Sequence, residues 1–271
     1  MGLRINTNVP ALNAGRVLNR STLALNKSLE RLSSGLRINR AADDAAGLAI
    51  AEGFRSQVRG TQVAQRNAQD GVSLVQTAEG ALSETTNILQ RVRELAVQAA
   101  NGTQSTNNRE AMHTEVQQLL GQIDSIALDT QFNGVNVLSA AQTVTLQAGP
   151  NPGQTLLVTV QGAKTNDLGV NTLAVSTMAL AVTAISTVDT ALKSVTSLRS
   201  SLGAFQNRLE FTINTLAIQE ENAAASESAI RDANIASETI SFTRNQILVS
   251  AGTSVLAQAN LVPQTALTLL G

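Results

Sequence analysis

The sequence of 271 residues is 43% hydrophobic, enough for a core in one large domain or two smaller ones, but only 14% charged, with a net charge of −1, against roughly 25% charged residues in an ordinary globular protein. There is no basic stripe and the only aromatics are five phenylalanines, so a nucleic acid finds neither an electrostatic footprint nor a stacking platform. No run of roughly 18 apolar residues implies a membrane span, no signal-peptide core marks the N-terminus, and the lack of cysteine removes disulfides and thiolate chemistry.

Residues 1–10, with Asn6, Asn8 and Pro10, read as an extended or disordered lead. A first amphipathic helix is expected from about Ala11 to Leu32. Leu18, Leu25, Leu29, Leu32 and Leu36 share a narrow arc with Thr22 between them, at alternating spacings of four and three, the pattern of a helix that packs on another helix. Gly35 is placed to cap its C-terminus, and Asp43 or Asp44 can cap the next helix by accepting its free N–H groups. That second helix runs from about Asp44 to Ala100, with a seam at Val75, Ala78, Leu82, Thr85, Leu89, Val92, Ala96 and Ala99. Gly60, Gly71 and Gly80 lie inside it, each costing roughly 1 kcal/mol against Ala. They either admit close neighbours or mark a break near Gly71. NGTQSTNN at 101–108 is a loop by composition. A helix follows over about Asn108–Asp129, with Met112, Val116, Leu119, Ile123 and Ile126 on one face.

After Gln131 the period falls to two. Val144, Leu146 and Ala148 alternate with polar residues, GPNPG at 149–153 turns the chain, and Leu156, Val158 and Val160 alternate again, which predicts a β-hairpin followed by irregular structure to about Thr177. From about Leu180 the helical period returns, with Val188, Val195, Leu202, Leu209 and Leu216 at sevens and Leu198 and Phe205 at the d-like positions. This heptad run is the strongest periodic signal in the chain. AAASES at 223–228 reads as a small-residue join. The last helix reaches about Ala259, with Ile240, Ile247, Leu248, Ala251, Val255 and Ala259 on one broad face. The fold class that results is mainly α: long antiparallel helices in a coiled-coil-like bundle, a small β-hairpin region, and paired N- and C-terminal helices. Neither terminal stripe can be buried alone, so the economical solution folds the chain back on itself in the β region.

SSGLRINRAADDAAGLAIAEGFRSQVRG at 33–60 resembles the N-terminal signature of bacterial flagellin. INTNVPALNA near the start, LQRVRELAVQAANGT at 89–103, TQFNGVNVL at 130–138 and SVLAQANLVPQTALTLLG at 254–271 resemble the same family in the same order, over nearly the whole chain. The resemblance implies a self-assembling filament subunit, with the hook–filament junction protein, a relative with similar ends, as the alternative. It implies a terminal helical domain (D0-like) at 1–42 and 228–271, and a bundle (D1-like) at 43–140 and 178–227 carrying a hairpin region at 141–177. Only some 20 residues separate the hairpin from the returning helix, which implies a minimal form without outer domains. The implied partners are copies of the same chain, the flagellar export apparatus with its chaperone, and the filament cap and junction proteins; the implied place is the extracellular filament. Composition agrees, because a surface with little self-repulsion favours association.

The residues carry no recognisable chemistry. His113 is the only histidine and lacks the second imidazole of a zinc-protease helix. Asp43 and Asp44, as neighbours on a helix, would face different ways. No nucleophile set, phosphate loop or metal-ligand cluster is present, so no cofactor is expected and the chain reads as no enzyme. The sequons at Asn19, Asn26 and Asn101 are at chance frequency in an Asn- and Ser-rich chain. In LQRVRELAVQ, Gln90, Arg91, Leu95 and Gln98 are read as a solvated or inter-subunit face. The resemblance implies a further role there, since many flagellins are recognised through this motif by host Toll-like receptor 5, with Glu115 on the next helix as an added contact.

Overall fold

A computed structural model describes residues 7–270, with side chains over 7–261. The chain forms α1 (Val9–Ser34), α2 (Ala45–Ala99), α3 (Thr106–Asp129), β1 (Gln131–Phe132), β2 (Val135–Asn136), β3 (Gln142–Gln147), β4 (Thr155–Val160), α4 (Met178–Arg231) and α5 (Ile235–Leu270). It divides into two compact units: Met1–Ser56 with Asn222–Gly271, and Gln57–Glu221. Helices α2 and α4 carry the chain from one unit into the other.

The larger unit has the core. Every residue of the expected α2 seam is buried, from Val75 to Ala99, as are Val188, Val195, Leu202 and Leu209 on α4. Helix α3 adds Met112, Val116, Leu120, Ile123 and Ala127, one residue on from the expected face at Leu120 and Ala127. Charged and amide side chains pin α2 to α4 at intervals: Arg93 Nε donates to Asp189 Oδ1 at 2.7 Å, Arg199 reaches Glu79 at 3.5 Å, and Gln62 and Gln65 both donate to the carboxylate of Glu220. Arg93 lowers the Asp189 pKa, and Asp189 raises that of Arg93. One stretch of α4 is long and apolar enough to pass for a membrane span, but Val188, Val195 and Leu202 line the bundle core.

Strands β3 and β4 pair antiparallel, with Val144 opposite Val158 and Leu146 opposite Leu156, as the alternation requires. The glycines of α2 explain how this hairpin is seated. A side chain at Gly60 would come within 2.9 Å of Pro150 Cβ, and one at Gly71 would overlap Leu146. Asn67 between them donates to Gln147 O at 3.0 Å. Helix α2 is unbroken at Gly71. A second, shorter hairpin, β1–β2, turns at Asn133 and Gly134, both at positive φ, as Asn-Gly in a two-residue turn prescribes. Residues 161–177 are irregular but packed: Val170 and Val175 are buried, and Thr165 donates through its N–H and hydroxyl to Asp124 of α3.

In the smaller unit α1 packs along α5. Helix α1 begins two residues before the expected start. Asn8 caps it, accepting from Ala11 N at 3.1 Å, and Pro10 sits in the first turn, where its missing N–H costs nothing. Residues 7–10 are therefore ordered, and the rest of the expected lead lies outside the described residues. Gly35 caps the C-terminus at φ 72°. The two aspartates divide the work. Asp44 caps α2 through Gly47 N at 2.8 Å, whereas Asp43 accepts from the N–H groups of Asn39 and Arg40 and pairs with Lys27 at 2.7 Å. Those contacts, Lys27 first, hold the Asp43 carboxyl down to about 2.

Two expected boundaries are displaced. The join at 223–228 is helical, and α4 ends at Arg231, because small alanines and serines do not terminate a helix. The break falls at 232–234, where the chain finds partners outside the helix: Ala233 N donates to Gly35 O at 2.9 Å, and Leu36 pairs with Asp232. Helix α5 runs past Ala259 to Leu270.

Candidate assembly surfaces

The terminal pair is built from two heptad faces. On α1 the face turned to α5 is Leu18, Ser21, Leu25, Ser28 and Leu32; the three leucines are half-buried and the two serines buried. On α5 it is Ser241, Asn245, Val249, Gly252, Leu256 and Ala259, all half-buried. Small residues let the two backbones approach: an atom added to Gly252 would lie 3.1 Å from Leu18 Cδ1. Asn8 Nδ2 donates to Ala259 O at 2.8 Å near one end, and Arg31 meets Glu238 at 3.6 Å nearer the other.

What this pairing leaves uncovered is large and apolar. Leu29, expected within the narrow arc, is 56% exposed, because the contact with a single partner follows the 3.5-residue heptad through Ser28 and leaves position 29 beside it. Ile240, Ile247, Leu248 and Val255 of α5 are exposed too, Ile247 at 63%. Only Ala259 of the broad face expected for α5 turns towards α1. Leu12, Val17 and Leu23 add apolar surface to α1.

A second surface lies where α2 meets α3. Gln90, Arg91 and Gln98 are exposed on α2 and Glu115 on α3. Arg91 bridges them: its Nη2 donates to Glu115 Oε1 at 2.9 Å and its Nη1 to Glu94 at 3.1 Å, and the two carboxylates, Glu115 foremost, raise its pKa. Leu95 does not belong to this surface. It is 2% exposed and part of the core, because the buried face of α2 widens here to take in Val92, Leu95, Ala96 and Ala99 together. His113 is half-buried on α3. Among the described residues no group of three or more His, Asp or Glu side chains could hold a metal ion.

Residues 5–143 match the bacterial flagellin N-terminal helical region and residues 185–270 the bacterial flagellin C-terminal helical region. The chain belongs to the bacterial flagellin family. It is 48% identical to a flagellin of Halalkalibacterium halodurans over 98% of this chain and 99% of that one. It is 45% identical to the flagellin of Bacillus subtilis, over 99% and 100%. It is 44% identical to the flagellar filament 31.3 kDa core protein of Treponema maltophilum, over 98% and 99%. These relatives put it with the filament subunits, and the junction-protein alternative is not favoured. A Vibrio parahaemolyticus protein described as flagellar hook-associated has a similar fold, with TM-score 0.58 over 70% of this chain and all of that one, at 11% identity; the likeness is one of fold alone.

For this flagellin, sequence patterning missed the staple between the two connections of the terminal pair. Arg37 donates from its backbone to Arg231 O at 2.6 Å and from its guanidinium to Ile230 O. Arg231 in turn meets Glu52 at 2.9 Å. The local signals were the arginines flanking Gly35 and the break itself. Pairing them requires two segments 193 residues apart in the chain.

Proposed function

We propose that this flagellin polymerises through its terminal helices, which line the inner tube of the filament as a D0-like domain (1–42 and 228–271), while the D1-like bundle (43–140, 178–227 and the hairpin region 141–177) forms the wall. The observation that carries this is the apolar surface left on both members of a two-helix pair: Leu29 on α1, and Ile240, Ile247, Leu248 and Val255 on α5. A heterologous contact between copies that does not close generates an open helical polymer. In this reading the subunit has no catalytic role. It is kept soluble by an export chaperone, leaves through the flagellar export apparatus, and meets junction proteins at the filament base and a cap at its tip. The test is seeded growth. Purified subunit added to filament fragments elongates them into tubes visible by electron microscopy; a subunit that stays soluble at high concentration, with seeds and a salting-out agent, overturns the proposal.

A second reading concerns the Arg91 surface. Gln90, Arg91, Gln98 and Glu115 form an exposed polar patch that a host receptor of the Toll-like receptor 5 type can engage, with Leu95 acting only as packing beneath it. Arg91→Ala lowers activation of a receptor reporter while the melting temperature stays put, since exposed substitutions change stability by about 0.5 kcal/mol or less. An unchanged dose–response curve overturns it.

A further inference from the structure

The chain contains Asn-Gly twice, at 101–102 and 133–134. As dipeptides they are identical, and glycine in second place removes the Cβ that would hinder attack by its nitrogen on the asparagine side chain. Their surroundings differ. Asn101 lies in the exposed loop between α2 and α3. Its backbone carbonyl oxygen accepts from Arg109 Nη2 at 2.9 Å and from Gln104 N at 3.2 Å. Its side-chain oxygen accepts from Thr103 N at 3.1 Å. Arg109 is held in place by its own Nε, which donates to Ala99 O at 2.9 Å. The space around Gly102 is open, and its N–H makes no hydrogen bond among the described residues. Asn133, by contrast, is fixed at φ 50° in the β1–β2 turn, flanked by the Phe132–Val135 pair, and among the described residues no arginine donates to either of its oxygens.

We propose that Asn101 is a self-modifying site, at which the Gly102 nitrogen displaces the side-chain amide with Arg109 and the Thr103 N–H assisting. The Gly102 amide loses its proton to water, and the charge that appears is shared with the Asn101 backbone oxygen, where the Arg109 guanidinium stabilises it. The nitrogen then bonds to Asn101 Cγ, and the developing oxyanion on the side-chain oxygen is met by the Thr103 N–H, as in other acyl transfers. The Cγ–Nδ2 bond breaks and Nδ2 leaves as ammonia, recovering a proton from water. A second water opens the cyclic imide at either carbonyl, giving aspartate or isoaspartate. No oxidant or cofactor is needed. The product sets a carboxylate beside Arg109 and takes the net charge from −1 to −2, so the extent of conversion reads the age of a subunit.

Full-length protein aged at neutral pH and physiological temperature, folded and in urea, is digested and both sites are quantified by mass spectrometry. A charged hydrogen bond contributes about a tenfold effect on a rate. Folded protein should therefore convert Asn101 about tenfold faster than Asn133, and Arg109→Ala should slow Asn101 by about the same factor while leaving Asn133 unchanged. In urea, where the Arg109 contact is gone, the two rates should converge. Equal rates in the folded chain, a difference that persists in urea, or an Asn101 rate indifferent to Arg109 in a folded variant each overturn the proposal. Should Arg109→Ala fail to fold, the comparison of folded and urea rates decides alone.

Discussion

The bundle and the terminal pair use one code, apolar residues at spacings of three and four, and reach opposite outcomes. In the bundle the α2 seam from Val75 to Ala99 is wholly buried, because α3, α4 and the hairpin cover it from several sides. In the terminal pair the same spacing buries, among the described residues, only Ser21 and Ser28 outright, and leaves Leu29 and Ile247 in the open. A helix with one partner can cover only one strip of its surface. The lesson is that periodicity reports how a helix will pack, while the number of neighbours decides whether that packing is complete. A bundle closes its own core; a two-helix pair of this size buries little, and under the proposed function other copies complete it.

The comparison is broken most directly by separating the two regions. A fragment of residues 45–225 should fold cooperatively as a helical monomer by circular dichroism and lose seeded elongation altogether. A fragment that still elongates seeds would return the assembly contacts to the bundle. Next in size are paired truncations of apolar side chains. Leu89→Ala, in the bundle core, should cost about 2–5 kcal/mol in urea unfolding. Ile247→Ala should change subunit stability by about 0.5 kcal/mol or less yet slow elongation, and equal losses of stability at the two sites would erase the distinction.

Smaller effects sharpen it within each region. Gly60→Ala meets Pro150 Cβ at 2.9 Å and its backbone Cα at 3.3 Å, so overpacking should cost about 1–3 kcal/mol. Gly80→Ala meets open space in the same helix and should gain roughly 0.5–1 kcal/mol; thermal melts of the two variants should shift in opposite directions. The smallest effect belongs to the terminal pair. Asp43 has a folded pKa of about 2, below its ordinary value, so its contribution is complete above about pH 4 and fades as pH falls towards 2. Asp43→Asn should flatten the melting temperature over that window relative to the parent, and parallel curves would remove Asp43 from the acid response.

Much of this was legible in the chain itself. The α2 seam, the heptads from Val188 to Leu216, the β3–β4 alternation and the Gly35 cap all follow from local periodicity and backbone preference, which act within a few residues and so leave their mark on the sequence. Assembly itself was read from low charge and two unpartnered stripes. Tertiary structure alone decided the rest. It gave α5 a face of Gly252 and Val249 for α1 and turned Ile247 outward, since the small residues on that face let the two backbones approach. It buried Leu95 beneath the Arg91 surface, because a helix flanked on two sides hides a wider arc than a seam predicts. It placed the end of α4 at Arg231 and not in AAASES, through hydrogen bonds to Gly35 and Arg37, whose pairing joins segments far apart in the chain. And it set Arg109 of α3 against one of two identical Asn-Gly pairs, a difference that exists only once the loop folds back on the helix that follows it.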